Sequence, residues 1–384
     1  MSKNKKEAKI NFVFLTLLFV LIIINSVFIL IYINGKNNKA NVPTKEIQNA
    51  SPIDHLLVPI EIKPSWWEEN RKIYKDIPAR ILFKLPQNAK KKSAQITKEI
   101  WDEFDRIGKI FNPFSMESEI GNLNFSIKTF PVKVSSDVIH MLNTSSYLWM
   151  ESDMEFDPTI LPIKKIWSSG EKHQIIPTDA NINVVLEIVG FNKVHFDNSY
   201  FVSFDSPFMQ LDFGGIVKGF AVDNALLIMK NNGIESGLIQ IGGEISAFGL
   251  KDGEDWNIGI QNPKKDNSIW GIVSNYNSLR VSTSGNYRQP IIIQDSVFYH
   301  IFSPTTGMPV STRVIGVTTA CFDSTISNAV LDGAATAITV LGAQKGIEFA
   351  KKIKVEALII VENENAEIKE IMTEEFYKRY KRTQ

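Results

Sequence analysis

The sequence predicts an α+β protein: a mixed sheet-and-helix domain preceded by one N-terminal transmembrane helix. Two observations support this prediction. A segment without any charged residue, Ile10–Ile33, lies near the start of the chain. Beyond about residue 76, strand-like runs alternate with helix-like periods and are joined by hairpin-like connections rather than a long βαβ series. Hydrophobic residues make up 44 % and charged residues 22 % of the 384 residues, which excludes a chain that is disordered throughout.

The segment Ile10–Ile33 is long enough to cross a bilayer, since a helix of this length spans about 36 Å. It follows a basic stretch, residues 1–9, which contains Lys3, Lys5, Lys6 and Lys9. The positive-inside rule places that tail in the cytoplasm and the rest of the chain outside it, in the cell membrane as a single-pass protein. A small-residue cleavage site does not follow, so we expect an uncleaved anchor rather than a signal peptide or a buried core helix.

Residues 34–75 are rich in Asn, Lys, Pro and Ser, which predicts an extended linker before a catalytic domain at 76–384. Trp66 and Trp67 could dock this linker, sit at a membrane interface or pack on the domain. Within the domain, apolar spacing predicts strands and helices, and one segment, Ala180–Val189, fits either. The predicted strands are Ala79–Leu85, Phe208–Phe213, Gly237–Ile241 and Ala357–Val361. The predicted helices are Ser93–Phe111, Val134–Met150, the residues from Gly215 to about Asn231, and Ser327–Leu341.

Composition restricts the chemistry. Lys plus Arg and Asp plus Glu both number 42, and the zero net charge argues against a nucleic-acid-binding protein. A single cysteine, Cys321, excludes intrachain disulfides, cysteine-based zinc sites and iron–sulfur clusters. The five histidines have no ligand spacing, so any metal must be a hard cation held by oxygen.

Two glycine- or alanine-rich segments could carry a site. In Leu211–Gly219 a predicted strand is followed by Gly214, Gly215 and a predicted helix. The two glycines would let the backbone approach a phosphate, and the helix start would offer it free N–H groups. The alternative is a tight turn without a ligand. Asp332 and Thr336 are four residues apart, so their oxygens share one helical face and suit Mg²⁺. Asp332 could instead cap a neighbouring loop.

Two further segments are less specific. Ser282–Tyr287 and Tyr299–Val310 bring hydroxyls, a glycine and His300 close in sequence, but no acid completes a hydrolase triad, and His300 could be structural. Glu155–Thr159, followed by Pro162 and Trp167, could grip an aromatic ring system or form an ordinary turn.

Together these segments resemble the ApbE family of FAD:protein FMN transferases, from about Ile77 to Val361. Six motifs of that family occur in order. They are Ser118-Glu119-Ile120 with Leu123-Asn124, Phe156–Thr159 with Pro162 and Trp167, Asp212–Asp223, Gly242-Gly243-Glu244, Thr283–Pro309, and Leu331–Ala337.

The resemblance implies a fold of two interleaved lobes with a flavin cleft between them, and a set of site residues. Mg²⁺ would be bound by Asp332, Thr336 and a backbone carbonyl near Gly215. FAD would lie against residues drawn from four segments: Phe114, Glu155, Phe156, Asp157, Asp212, Lys218 and Phe302. Lys218 and the metal would neutralise the pyrophosphate, with Asp332 and His300 as catalytic residues.

The resemblance also implies a reaction. The hydroxyl of a Thr or Ser on a client protein would attack the FMN phosphorus of FAD, AMP would leave, and the client would carry FMN as a post-translational modification. His300 would receive the hydroxyl proton or steady the developing charge. Expected clients are subunits of Rnf-type or sodium-pumping NADH:quinone reductase complexes. The alternatives are an FAD pyrophosphatase, which gives FMN and AMP, and a protein that binds or delivers FAD without chemistry.

The sequence departs from the family pattern at four positions, where Asn286, Ser303 and Glu244 replace the usual Asp and Leu331 replaces the usual Ala. The family's early Met-Gly-Thr strand is not evident near Leu82. The predicted metal ligands Asp332 and Thr336 are intact.

Overall fold

The centre of the protein is an eight-stranded antiparallel sheet. The computed structural model describes residues 64–74, 76–125, 130–265, 268–285 and 290–383. The strands of the central sheet, in spatial order, are β1 (Pro64–Ile73), β2 (Ile77–Pro86), β6 (Gly237–Ile241), β7 (Glu244–Phe248), β10 (Ser278–Ser284), β13 (Val314–Cys321), β14 (Glu356–Glu362) and β15 (Ile368–Met372). Every neighbouring pair in this order is antiparallel.

Three smaller sheets surround it. One contains β16 (Tyr380–Arg382), β9 (Ile269–Asn275) and β8 (Trp256–Gln261), and another contains β3 (Val132–Lys133), β5 (Phe201–Phe204) and β4 (Val194–Phe196). The third is a hairpin of β11 (Pro290–Ile293) and β12 (Ser296–Tyr299). The α-helices are α1 (Lys90–Phe111), α2 (Glu119–Phe125), α3 (Ser136–Glu151), α4 (Leu161–His173), α5 (Asp179–Leu186), α6 (Val217–Asn231), α7 (Asn328–Lys352) and α8 (Glu374–Arg379).

Alternation along the central strands produces two cores. Ile81 and Phe83 face one side of the sheet, where they join the apolar faces of α1, α3, α6 and α7. Leu82, between them, faces the opposite side and packs with Ile258 of β8 and Phe376 of α8. The sheet is therefore covered by these four helices on one face and by a small sheet and the short helix α8 on the other.

A third, smaller core contains Trp167 of α4, Ile182 of α5, Ile293 of β11 and Phe302. Its members come from two chain segments more than 100 residues apart. This core holds α4, α5 and the β11–β12 hairpin together, and the loop that contains Phe302 is part of it.

The prediction of a linker up to residue 75 is wrong for Pro64–Ile73, which forms β1 and pairs with β2 over its whole length. Trp66 packs edge-on against Trp256, with ring centroids 5.8 Å apart, and its indole N–H donates to Asp252 Oδ2 at 2.8 Å. This burial of aromatic surface, together with the backbone ladder, explains why a charged and proline-containing segment is a strand. The remainder of the predicted linker lies outside the described residues.

The predicted strand Phe208–Phe213 is also wrong. Its backbone bonds to side chains and loops instead of a neighbouring strand: the Asn124 side chain bonds both the N–H and the C=O of Leu211, and Asp212 N–H donates to Pro158 O at 2.7 Å. The other predicted strands and helices are confirmed, with Ala180–Val189 adopting helix α5 over most of its length. The helix predicted at Ser327–Leu341 continues as α7 through a kink at Gly342, where φ is 78°.

The predicted transmembrane segment Ile10–Ile33 and the tail before it lie outside the described residues. None of the helices within 64–383 that the structure describes combines the length and the apolar character that a membrane span requires.

Candidate active site

Asp332 is positioned by the close crossing of α6 and α7. The Asp223 carboxylate on α6 accepts the N–H groups of Asn328 (3.0 Å) and Ala329 (3.1 Å), which caps the first turn of α7. Gly219 permits the approach, since a Cβ there would lie 2.2 Å from Asn328 O. Asp332 therefore emerges from the second turn of α7 directly against the start of α6.

The Asp332 carboxylate is buried and bonded on both oxygens. Lys218 Nζ donates to Oδ1 at 2.9 Å and to Oδ2 at 3.0 Å, and the N–H of Gly219 donates to Oδ2 at 3.2 Å. Glu244, the first residue of β7, lies next to both groups: its Oε1 is 3.7 Å from the Lys218 ammonium, and its carboxyl group interacts with that of Asp332. Its other oxygen is buried and has no hydrogen-bond partner among the described residues. Two carboxylates thus share one ammonium.

This arrangement shifts all three ionisation equilibria. Burial raises the pKa of Glu244 well above its ordinary value, and the nearby Asp332 carboxylate raises it further. Burial also raises the pKa of Asp332, and Lys218 only partly opposes that shift. Burial alone would lower the pKa of Lys218, but Asp332 and Glu244 raise it. In the absence of a ligand, the cluster therefore favours a charged Lys218 with a proton retained on the acidic pair, most readily on Glu244.

Replacing Glu244 with Gln is expected to weaken the loss of stability at high pH in metal-free protein. The folded state retains the Glu244 proton above the ordinary pKa of 4.5, so stability is lost as the pH rises from there through the raised pKa. Gln has no proton to lose. The free energy of unfolding by urea, measured in EDTA at about pH 5 and about pH 8, should fall less for Glu244→Gln than for the wild type. Equal pH dependence in the two proteins would contradict this assignment.

The backbone of Gly215 and the side chains of Phe156 and Thr336 form a small cradle beside Asp332. A Cβ on Gly215 would lie 3.3 Å from the Phe156 ring and 3.4 Å from Thr336 Oγ1. The Thr336 hydroxyl lies one turn after Asp332 and bonds Asp332 O at 3.3 Å. Four residues predicted to form one site, Phe156, Gly215, Asp332 and Thr336, are therefore close together, and Lys218 joins them through Asp332.

The oxygens at this cradle fit a hard divalent cation. Asp332 supplies a carboxylate, Thr336 a hydroxyl and Gly215 a nearby backbone. The Lys218 ammonium bonds both Asp332 oxygens, so a cation would have to share that carboxylate with it. Within the described ranges, no three or more His, Cys, Asp or Glu side chains cluster closely enough to enclose a metal. A cation here would need oxygens from its substrate or from water as well, which is the usual manner of Mg²⁺ binding.

Asp212 forms a second charged pair next to this cradle. Its Oδ2 lies 2.8 Å from Lys164 Nζ, and its Oδ1 accepts the N–H of Gly214 at 2.8 Å. Burial alone would raise the pKa of Asp212, but Lys164 and the Gly214 N–H together lower it below its ordinary value. Asp212 is therefore ionised and its position is fixed.

Asp157 bonds to its own loop. One carboxylate oxygen accepts the N–H and the hydroxyl of Thr159, and the other accepts the N–H of Phe191 at 2.9 Å. Burial raises the pKa of Asp157 to about 6 despite these bonds. These contacts position the turn that presents Phe156, and the flavin contact predicted for Asp157 stays a prediction.

Glu155 joins this turn to the loop that follows β12. Its two oxygens accept the hydroxyls of Ser303 (3.1 Å) and Thr305 (3.0 Å). Phe302 is buried and packs on Trp167, with ring centroids 6.0 Å apart. Ser303, a departure from the family pattern, thus acts as a hydrogen-bond donor to Glu155, a role that a carboxylate at this position could not fill when ionised.

The last two predicted residues are less enclosed. Phe114 is 62 % exposed, and its backbone N–H donates to Asn112 Oδ1. Asn124 connects this turn to the Asp212 segment, since its amide bonds both Pro113 O and Leu211 O. His300 is half-buried and directly follows β12. Asn286, another departure, lies outside the described residues.

Two residues of this site are absent from the sequence-derived set. Glu244 is a visible departure in its motif, but its contact with Lys218 depends on β7, α6 and α7 meeting in space. The Gly242-Gly243 turn is the only local signal, since a Cβ on Gly243 would lie 2.6 Å from Thr283 O. Lys164 gives no local signal, because its partner Asp212 is 48 residues away.

Comparisons with known proteins identify the family. A sequence model of the ApbE family matches residues 76–359. The FAD:protein FMN transferase of Vibrio cholerae is 30 % identical over 277 residues, which cover 70 % of this chain and 81 % of that protein. The protein of the same name from Chlamydia muridarum is 30 % identical over 283 residues, which cover 72 % and 85 %. The structure of the flavin transferase ApbE from Vibrio cholerae superposes with a TM-score of 0.71 at 26 % identity, covering 83 % of this chain and 99 % of that one. The chain therefore belongs to the ApbE family.

Proposed function

We propose that this protein is an FAD:protein FMN transferase that moves the FMN moiety of FAD to a Thr or Ser hydroxyl of a client flavoprotein and releases AMP. The relatives that bear this name support flavin transfer in general. The observation that carries the proposal is the buried Lys218–Asp332 pair beside Thr336 and Gly215, since it lies within the segment that the family shares. Such a site combines positive charge with oxygen ligands, which a pyrophosphate substrate requires.

The reaction is a phosphoryl transfer. The client oxygen forms a bond to the FMN phosphorus, the bond from that phosphorus to the bridging oxygen breaks, and AMP leaves with the electron pair. Asp332, Thr336 and the carbonyl near Gly215 would hold Mg²⁺, which supplies charge neutralisation when bound. Lys218 neutralises further negative charge, Asp212 and Glu155 fix the loops around the substrate, and Phe156 and Phe302 give them apolar support.

His300 is proposed to take the proton of the attacking hydroxyl. Replacing it with Ala should lower the rate of transfer to the client by about 100-fold, while the affinity for FAD stays within about twofold of the wild type. Single-turnover labelling with saturating FAD and fluorescence titration of FAD measure the two effects separately. A variant that keeps the full transfer rate would exclude this role.

The full-length protein in detergent tests the function directly. It is mixed with FAD, Mg²⁺ and a client domain, here the extracytoplasmic domain of an Rnf-type subunit made in cells without a flavin transferase. A fluorescent flavin band on a denaturing gel, absent with EDTA, is the expected result. FMN and AMP in solution without a band would instead indicate a pyrophosphatase. Bound but intact FAD would indicate a carrier.

Subunits of Rnf-type or sodium-pumping NADH:quinone reductase complexes are the proposed clients. The uncharged segment Ile10–Ile33 is proposed to anchor the enzyme in the cell membrane with the domain on the outside. Confinement of enzyme and client to one membrane surface raises their effective concentration.

A further inference from the structure

The β11–β12 hairpin has one packed face and one open face. Phe298 packs inward on Trp167, with ring centroids 5.0 Å apart. On the other face, Ile292 and Val297 lie directly opposite each other and are 50 % and 61 % exposed, and Tyr299 beside them is 37 % exposed. An apolar strip therefore runs along the outside of the hairpin.

The two edges of this hairpin differ. On the β11 edge, the N–H of Ile292 donates to Glu171 Oε1 at 3.0 Å and its C=O accepts from Gln174 Nε2 at 3.1 Å, so α4 covers this edge. Because the backbone groups of Ile292 point away from β12, those of its partner Val297 point away from β11. Across the part of the chain that the structure describes, Val297 makes no hydrogen bond outside the hairpin. Among the described residues, the β12 edge is therefore open.

Of the features that normally block strand addition, β12 has shortness alone. β12 reads Ser-Val-Phe-Tyr, without lysine, proline or a bulge. It is short, about 13 Å for four residues, which is too little contact for a stable dimer of this chain. A brief contact with a substrate that must leave after each turnover fits an edge of this size.

The edge is continuous with the candidate active site. Tyr299 is followed directly by His300, and Phe302 lies two residues further along. Trp167 contacts both Phe298 of the hairpin and Phe302 of the loop, and its indole N–H donates to Gly307 O at 2.9 Å. The hairpin and the loop are therefore held as one unit, and a strand paired with β12 would be directed to the residue proposed to receive the acceptor proton.

We propose that β12 is the docking strand for the client: an extended, uncharged segment of the client polypeptide pairs with the Val297 edge and places its acceptor hydroxyl at the site. This inference rests on the proposed function, which requires a polypeptide acceptor. Backbone pairing supplies the affinity, and the apolar strip of Ile292, Val297 and Tyr299 contacts the side chains that flank the acceptor.

Replacing Val297 with Pro tests the edge, since proline removes the outward N–H and leaves the hairpin bonds to β11 in place. Val297→Thr is the matched control, because it keeps both the N–H and the branched shape. With full-length protein, Val297→Pro should raise KM for the client domain by about five- to tenfold, leaving KM for FAD within about twofold. Val297→Thr should leave both values within about twofold. An equal client KM for all three proteins would overturn the proposal.

Hydrogen–deuterium exchange gives a readout that does not depend on turnover. Adding the unmodified client domain to the wild type should slow exchange of the Val297 and Tyr299 amides. Unchanged exchange of these amides would overturn the proposal that β12 docks the client, even if transfer proceeds. Protection of the amides without transfer would support docking and count against the proposed function. Protection that instead grows with enzyme concentration alone, with a dimer seen by light scattering, would assign the edge to a second copy and overturn the proposal.

Discussion

Flavin transfer is expected to fall about 1,000-fold when Asp332 is replaced with Asn, corresponding to ~4 kcal/mol of transition-state stabilisation. The substitution preserves the size of the side chain and an acceptor for the Gly219 N–H, which now donates to Asp332 Oδ2. It removes the buried negative charge that holds the Lys218 ammonium and, in our proposal, the metal. Labelling of the client domain under single-turnover conditions at saturating Mg²⁺ measures the loss.

The fold should survive this change, because Lys218 retains Glu244 as an acidic partner 3.7 Å away. Circular dichroism and the midpoint of thermal unfolding provide that control.

Thr336→Val and Thr336→Ser form a matched pair of variants at the second proposed metal ligand, since only Ser keeps the hydroxyl beside Gly215. Val should reduce transfer by about tenfold or more, and Ser should stay within about threefold of the wild type. An Asp332→Asn rate within tenfold of the wild type would contradict the metal-site proposal.

Local periodicity accounts for the elements that were predicted correctly. In α1, the apolar positions Ile96, Ile100, Phe104 and Ile107 are all fully buried, since a helical period fixes one face without any knowledge of the partner. The four-residue spacing of Asp332 and Thr336 likewise needs only a helix to place both side chains on one face. Both residues are indeed on one face near the start of α7.

The wrong predictions involve partners that are distant in sequence. β1 depends on pairing with β2 and on Trp256, about 190 residues beyond Trp66. Phe208–Phe213 has the composition of a strand, but the Asn124 side chain takes the backbone groups of Leu211. A strand needs a ladder partner, and composition alone does not reveal whether one is present.

The electrostatics of the site were the least predictable part. The family resemblance implied that Lys218 neutralises the substrate pyrophosphate, and it marked Glu244 only as a departure from a motif. The structure pairs Lys218 with Asp332 and places Glu244 3.7 Å from it, so the lysine also balances the charge of two buried carboxylates. Three elements must meet before that role exists, and no single segment encodes it.

The largest stability effect is expected from Lys218→Met in metal-free protein. The substitution leaves Asp332 and Glu244 buried together without their shared cation, since each is about 1 % exposed. Breaking a buried pair in this way costs about 3–5 kcal/mol, because an uncompensated charge stays in the interior or must take up a proton. Urea unfolding in EDTA measures the loss, which should grow as the pH rises above the ordinary carboxylate range, where both acids are driven to ionise.

Two controls separate charge balance from a simple loss of packing. Lys98→Met removes an exposed lysine from its pair with Asp102 and should change stability by no more than about 0.5 kcal/mol. The double variant Lys218→Met with Asp332→Asn also removes one carboxylate, so it should recover about half of the loss if repulsion and unpaired charge cause it. Mg²⁺ should stabilise Lys218→Met more than it stabilises the wild type, because the ion then has no ammonium to compete with at Asp332. Two results together would contradict this account: a double variant as unstable as Lys218→Met alone, and an equal stabilisation of Lys218→Met and of the wild type by Mg²⁺. Lys218 would then act through the packing of its aliphatic stem, and charge balance would not be what stabilises this site.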